Sequence, residues 1–324
     1  MTAPLDFPPI NASERPFTGP EHMAEVSLLA ALWLDTEEAL IELSSDPQLL
    51  LAIGAGDPDG IETQARRIRR ATQEELQTLR RNSEVWAAAA VSARFGAGFQ
   101  ASVEAAEAQG LTPEFVTGYE LSNAQSVSLL VDDVLIDVEF SASSAEQTIN
   151  RFLRRAQQQA VTVEAVTRSL AISDARLENL DQRTTRLVRE FEQATGHGKF
   201  VNIRGRRFTL ENYARVVART RLAESASQGA FHAILALGGD HVQISDHGAT
   251  DPACDAHAGK VYSISGRDSR FPRLTALPPF HPNCQHVVLP YIPDMKRPVE
   301  LQFAMARSRD EIGPGVSLQQ FLRG

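Results

Sequence analysis

Apolar residues recur at helical spacing along most of the first two thirds of the chain. In EHMAEVSLLAALWLDTEEALIEL (21–43), Val26, Leu29, Leu32, Trp33, Ala39, Leu40 and Leu43 share one face, which predicts an amphipathic helix. GAGDPDG (54–60) reads as a loop. IETQARRIRRATQEELQTLRR (61–81) follows as a densely charged helix, with Ile61, Ile68, Leu76 and Leu79 on its apolar stripe. SEVWAAAAVSARFGAGFQASVEAAEAQG (83–110) continues in helix, with a break expected around Gly96 and Gly98. Thr112–Pro113 opens another helix with proline at its first position. SVSLLVDDVLIDVE (126–139) suits a helix or a short strand, and its periodicity does not choose between them. Residues 143–195 read as one long helix, started at Ser143 or Ser144 and ended by Gly196 and Gly198.

Past that point the pattern shortens. KFVNIRGRRF (199–208) is basic and β-prone, with Gly205 as its turn. A helix follows with Thr209 as N-cap, one face carrying Tyr213, Val216, Val217, Ala230 and Ile234, and Gly238–Gly239 as the stop. HVQIS, KVYSIS and VVLPYIP are strand candidates, the last an edge strand limited by Pro290 and Pro293. The expected fold class is α+β: a mainly helical N-terminal part and a small α+β C-terminal domain with a candidate zinc clasp. The expected boundaries are an extended arm at 1–20, which holds five prolines, a helical bundle or shaft at 21–197, an α+β domain at 198–295 and a tail at 296–324.

Composition adds limits. Aromatic residues are 6% of the 324-residue chain while Ala, Glu, Gln, Leu and Arg abound, which favours helix. Two cysteines cannot build a disulfide framework, so the chain reads as cytosolic in origin. The N-terminus has neither a basic n-region nor an apolar h-region, and no apolar run has the length of a membrane span, so no membrane partner is expected. The net charge of −9 is uneven: residues 198–324 carry 16 Lys and Arg against 11 Asp and Glu, and residues 1–197 carry 16 against 30. An acidic N-terminal part does not suit non-specific DNA binding, whereas the mildly basic C-terminal part permits contact with nucleic acid.

The candidate chemistry is concentrated. Five of the eight histidines and both cysteines lie between residues 241 and 286, and all of these but His241 fall in SDHGATDPACDAHAGK and FHPNCQH. Candidate ligands are His247, Cys254, His257, His281, Cys284 and His286, and zinc is the metal that prefers such thiolate and imidazole donors. Two loops about 30 residues apart would frame KVYSIS and close on one ion, which would brace a domain with a thin core. Buried core cysteines, idle loop histidines or a Cys254–Cys284 disulfide remain open alternatives at this point. No Walker-type loop, HExxH, G-x-S-x-G or zinc-deaminase signature is present. A metal-dependent nuclease or hydrolase using the loops at 246–286, with Asp246, Asp251 and Asp255 nearby, is the rival reading. Against it, HPNCQH runs into VVLPYIP, where prolines forbid the helix that an HNH-type nuclease needs.

RGRRFTLENYARVVART, VQISDHGATDPACDAHAGKVYSISG and PPFHPNCQH, in this order over about residues 203–293, resemble the minor capsid and head-morphogenesis proteins of tailed phages, the Mu F-like group and its minor-capsid-protein-2 relatives. The resemblance implies a non-enzymatic virion component of a phage or prophage, at or near the portal vertex of the head. It would be assembled in the host cytoplasm, be present in several copies per virion, and assist head assembly and DNA packaging or ejection. The implied partners are the portal protein and other capsid proteins, with viral DNA as a further candidate. Carried over by position, the metal ligands are Cys254, Cys284, His286 and His247. The gap from His247 to Cys254 is one residue longer than the family pattern and Gln285 replaces its arginine, which keeps His257 and His281 as rivals for the fourth place.

Overall fold

The computed structural model describes residues 20–107, 119–169, 199–203, 205–246, 251–282, 284 and 286–293. Its element order is α1 (Pro20–Ser44), α2 (Pro47–Ala55), α3 (Pro58–Glu107), α4 (Tyr119–Ser169), β1 (Val201–Ile203), β2 (Arg206–Phe208), α5 (Leu210–Ala236), β3 (His241–Ile244), α6 (Pro252–Asp255), β4 (Val261–Ser263) and β5 (Val288–Pro290). The fold is α+β, and among the described residues it is helical first and strand-bearing only after residue 200. The chain divides into two compact units, one of Leu29–Ser83 with Leu135–Ala214, the other of Met1–Leu28, Glu84–Val134 and Arg215–Gly324.

In the first unit the predicted apolar stripe is the core. Ile61, Ile68, Leu76 and Leu79 of α3 are buried, as are Leu29, Trp33 and Leu40 of α1. The Trp33 indole N–H donates to Ser83 Oγ at 3.0 Å, which satisfies the one polar atom that this ring buries. The expected loop at 54–60 shrinks to a tight corner: Gly56 ends α2 with a left-handed φ of 62° and Pro58 begins α3. Asp46 caps α2 by accepting from the backbone N–H groups of Gln48 and Leu49. β1 and β2 form the predicted hairpin, with Gly205 at φ 83° in its turn.

One open reading is decided and one expectation is corrected. Residues 126–139 are helix throughout, and α4 begins at Tyr119, so neither Ser143 nor Ser144 is a start signal. Both lie mid-helix, and the Ser144 hydroxyl donates to the Phe200 carbonyl at 2.8 Å. The remainder of the proposed 143–195 helix beyond Ser169, the Thr112–Pro113 start, the arm and the tail lie outside the described residues.

In the second unit α3 runs unbroken through Gly96 and Gly98, against the expected break. An ideal Cβ on Gly98 would lie 2.8 Å from the carbonyl carbon of Ala226 in α5, with the oxygen closer still. A Cβ on Gly229 would meet the Phe95 carbonyl in the same way. The glycines let the two backbones touch, and that packing offsets their low helix propensity. α5 is capped at Thr209, whose Oγ1 accepts from Asn212 N, and ends where Gly239 N donates to Ile234 O at 2.8 Å beside the left-handed Gly238.

The three predicted strands form one antiparallel sheet in the order β4-β3-β5, which makes β5 an edge as its prolines require. Central β3 is buried on both faces. Val242 and Ile244 join Ala230, Ile234, Tyr262 and Val288 in a core, and the buried Gln243 donates to Gly259 O at 3.0 Å. That sheet presents the loops after β3 and before β5 on the same end.

Candidate metal centre

Each cysteine is delivered by a short local device. Asp251 accepts from Ala253 N at 2.9 Å and Pro252 sits at the first helical position, so the single turn α6 forms and turns Cys254 inward. Gly259, with φ 69°, returns the chain to the sheet, and its N–H donates to Ile244 O at 3.1 Å. The Lys260 ammonium caps the loop by donating to Ala256 O at 2.6 Å. On the other side Cys284 N donates to His281 O in a turn. Ser245 then holds the closing stretch against β3: its N–H donates to Val287 O and its Oγ accepts from Val287 N, both at 3.0 Å.

Cys254, Cys284 and His286 are thereby brought together, each with a ligand atom within 4.8 Å of the others. All three are buried, with exposures of 1%, 4% and 0%. Cys254 Sγ lies 3.6 Å from Cys284 Sγ, and Cys284 Sγ lies 3.6 Å from His286 Nδ1. The cysteines are free, and that sulfur separation is far beyond the ~2.05 Å of a disulfide. Tetrahedral zinc, at ~2.3 Å from sulfur and ~2.0 Å from nitrogen, sets two sulfurs ~3.8 Å apart and a sulfur and nitrogen ~3.6 Å apart. The spacings therefore fit a shared zinc ion. Burial, and next the hydrogen bond to the Cys284 sulfur, push the Cys254 thiol up to about 12, so a neighbouring cation is what would let this sulfur shed its proton.

The rival ligands are occupied otherwise. His257 Nδ1 is hydrogen-bonded to Tyr262 Oη at 2.7 Å, and its ring stacks on Phe280 at 4.2 Å. His281 Nδ1 lies 2.7 Å from Pro282 O, in a more open position. Among the described residues neither joins the three-residue cluster. His247 lies outside the described residues, as do Asn283 and Gln285. Sequence reading missed the aromatic neighbour of the site: the half-buried Phe280 stacks on His257 at 4.2 Å and lies 6.0 Å from the His286 ring. Its place inside FHPNCQH was the only available signal.

Several acidic and basic groups near the sheet and α5 form structural pairs. Asp133 lies 3.4 Å from Arg221, which also pairs with Glu224 at 2.8 Å, so the Asp132–Asp133 step includes a helix-to-helix tie. Asp240 accepts from Ser263 Oγ, Ser265 N and Ser265 Oγ and fixes the turn after β4. Asp268 holds His241 at 3.1 Å and Arg270 at 2.8 Å. No described helix is long and apolar enough to cross a membrane.

Residues 145–312 match the family model described as phage minor capsid protein 2, which takes in all of the sheet and every candidate ligand. No curated protein and no solved structure matches the chain.

Proposed function

Because the chain belongs to the phage minor capsid protein 2 family and is thus a structural protein of a phage virion, we propose that it serves without catalysis at or near the portal vertex of the head. There it assists head assembly and DNA packaging or ejection, in several copies per particle, after assembly in the host cytoplasm. Its partners in this reading are the portal protein, other capsid proteins and viral DNA. The helical part up to residue 197 supplies the contacts, and the α+β module at 198–295 serves as the anchor.

The observation that carries this reading is the buried Cys254–Cys284–His286 cluster inside the matched span. In the proposal it is three quarters of a structural zinc site, closed by His247, which follows β3 by three residues in the sequence. A thin sheet of three strands, each three or four residues long, gains from a metal what its core lacks. Burial also weighs against the nuclease or hydrolase alternative, since a catalytic zinc keeps a position open to water and substrate. The stretch after His286 is strand β5, not the helix of an HNH motif.

The test is made on purified particles and on the full chain. Mass spectrometry of gradient-purified heads should find the chain at low copy with the portal protein, and metal analysis should find about one zinc per chain. A chain absent from heads would end the virion placement. Zinc-free protein that folds normally would end the clasp.

A further inference from the structure

Residues 1–197 are strongly acidic in sum, yet in the Leu29–Ser83 and Leu135–Ala214 unit the structure gathers arginines on one surface. α3 and α4 run antiparallel there: Arg80 binds Glu139 through hydrogen bonds of 2.6 and 3.0 Å, and Arg69 donates to Gln157 at 3.2 Å. This register sets the 66–70 turn of α3 level with the 150–157 turns of α4. Ile68 and Thr72, and Phe152, Leu153 and Ala156, are buried, so the arginines between them face solvent. Arg66, Arg70, Arg151 and Arg154 are exposed, and Arg69 lies half-buried in the seam.

The surface is short of counter-charge. Among the described residues, no carboxylate pairs with Arg70, Arg151 or Arg154, and Arg66 has only Glu62 at 3.5 Å. Arg154 Nε donates to its own helix at Asn150 O, 3.3 Å away. Amides flank the arginines, Gln73 on α3 and Gln147, Asn150 and Gln157 on α4, and among the described residues the one carboxylate seen in the seam is Glu62, which accepts from Gln157 Nε2.

We infer that Arg66, Arg70, Arg151 and Arg154, with Arg69 at the seam, form a binding surface for the phosphate backbone of duplex DNA, without base readout. Arginine presents a planar fork that matches a phosphate, and residues one turn apart sit ~6 Å apart along a helix, so two such rows offer a regular array to a regular polyanion. An acidic protein partner would need apolar or aromatic anchors, and the large exposed apolar side chains Leu51, Ile136 and Phe140 lie outside these turns. Backbone binding to DNA needs none. The inference rests on the virion reading only for the source of the DNA.

Full-length protein is titrated with fluorescent duplexes of about 30 bp and two unrelated sequences, at salt from about 50 to 200 mM. Equal affinity for both sequences is expected, weakening ~100-fold across that range, with a log–log slope of about −3 to −4. The variant Arg66→Gln/Arg70→Gln/Arg151→Gln/Arg154→Gln should flatten the slope by about 3, while Arg206→Gln/Arg207→Gln on the hairpin keeps it. If the quadruple variant fails to fold by circular dichroism, phenylglyoxal labelling of the native protein decides, with DNA expected to shield these arginines. No binding at low salt, an unchanged slope or unshielded arginines would each overturn it. Failure of the virion reading would show instead as absence from purified heads, with the binding slopes intact.

Discussion

Gly98 of α3 lies against the backbone of Ala226 of α5, with no room for a Cβ between them. The obstacle is a carbonyl group on a helix, which cannot rotate aside as a side chain would. Gly229 meets the Phe95 carbonyl from the opposite direction, so each helix brings a glycine to the other's backbone. Gly98→Ala and Gly229→Ala should each lower stability by about 3 kcal/mol, because the crossing must open to admit the methyl group. Gly96→Ala, two residues from Gly98 and with nothing within 4 Å of its Cβ, should instead stabilise α3 by about 1 kcal/mol. Urea unfolding followed by circular dichroism distinguishes the three, and a destabilised Gly96→Ala would refute this account of the crossing.

Removing either sulfur of the cluster should cost the metal. Cys254→Ser and Cys284→Ser are each expected to lose zinc and to lower the thermal midpoint of the full chain. A chelator such as EDTA should reproduce that drop in the wild type, and added zinc should reverse it. His281→Ala should retain both metal and midpoint, since this residue lies outside the cluster. Metal analysis and calorimetry on the four proteins give the answer.

His22 predicts a pH dependence. It is buried, and desolvation first, then the charges of Arg94 and Arg219, lower its pKa from 6.5 to about 3. The unfolded chain therefore binds a proton that the folded chain refuses. This stabilising difference is complete above pH 6.5 and is lost as pH falls toward 3. Between about pH 6.5 and 5 the wild type should lose about 1–2 kcal/mol more than His22→Phe does, measured as parallel urea titrations.

Ser83 tests the indole bond. Ser83→Ala leaves the buried Trp33 N–H without the acceptor it has at 3.0 Å, and should cost about 1–3 kcal/mol. Thr78→Ala on the same helix, where the hydroxyl is exposed and bonds its own turn, should cost well under 1 kcal/mol. Equal losses would mean that the indole bond contributes nothing of its own.

Local signals were legible in the sequence wherever they acted within a turn or two of chain. The Gly205 hairpin, the Thr209 cap, the Gly238–Gly239 stop and the three strands all stand where the pattern put them, because caps, left-handed glycines and alternation are short-range effects. Ser143 and Ser144 looked like the same kind of signal and were not. A serine caps a helix only if the preceding chain leaves the helix, and here α4 had already run about six turns.

The sequence by itself determined that the chain is helical first and α+β later, and that its cysteines and histidines fall in a family order. Tertiary packing decided what separations along the chain conceal. The register of β4-β3-β5 brings Cys254 to Cys284 across 30 residues while His257, nearer in sequence, turns to Tyr262 and Phe280. The α3–α5 contact keeps a helix whole through two glycines that alone would weaken it. Net charge is a sum without position, so an acidic total hid an arginine surface that exists only once α3 and α4 lie side by side. In each case the deciding interaction joins groups far apart in the chain, and no local pattern encodes their distance.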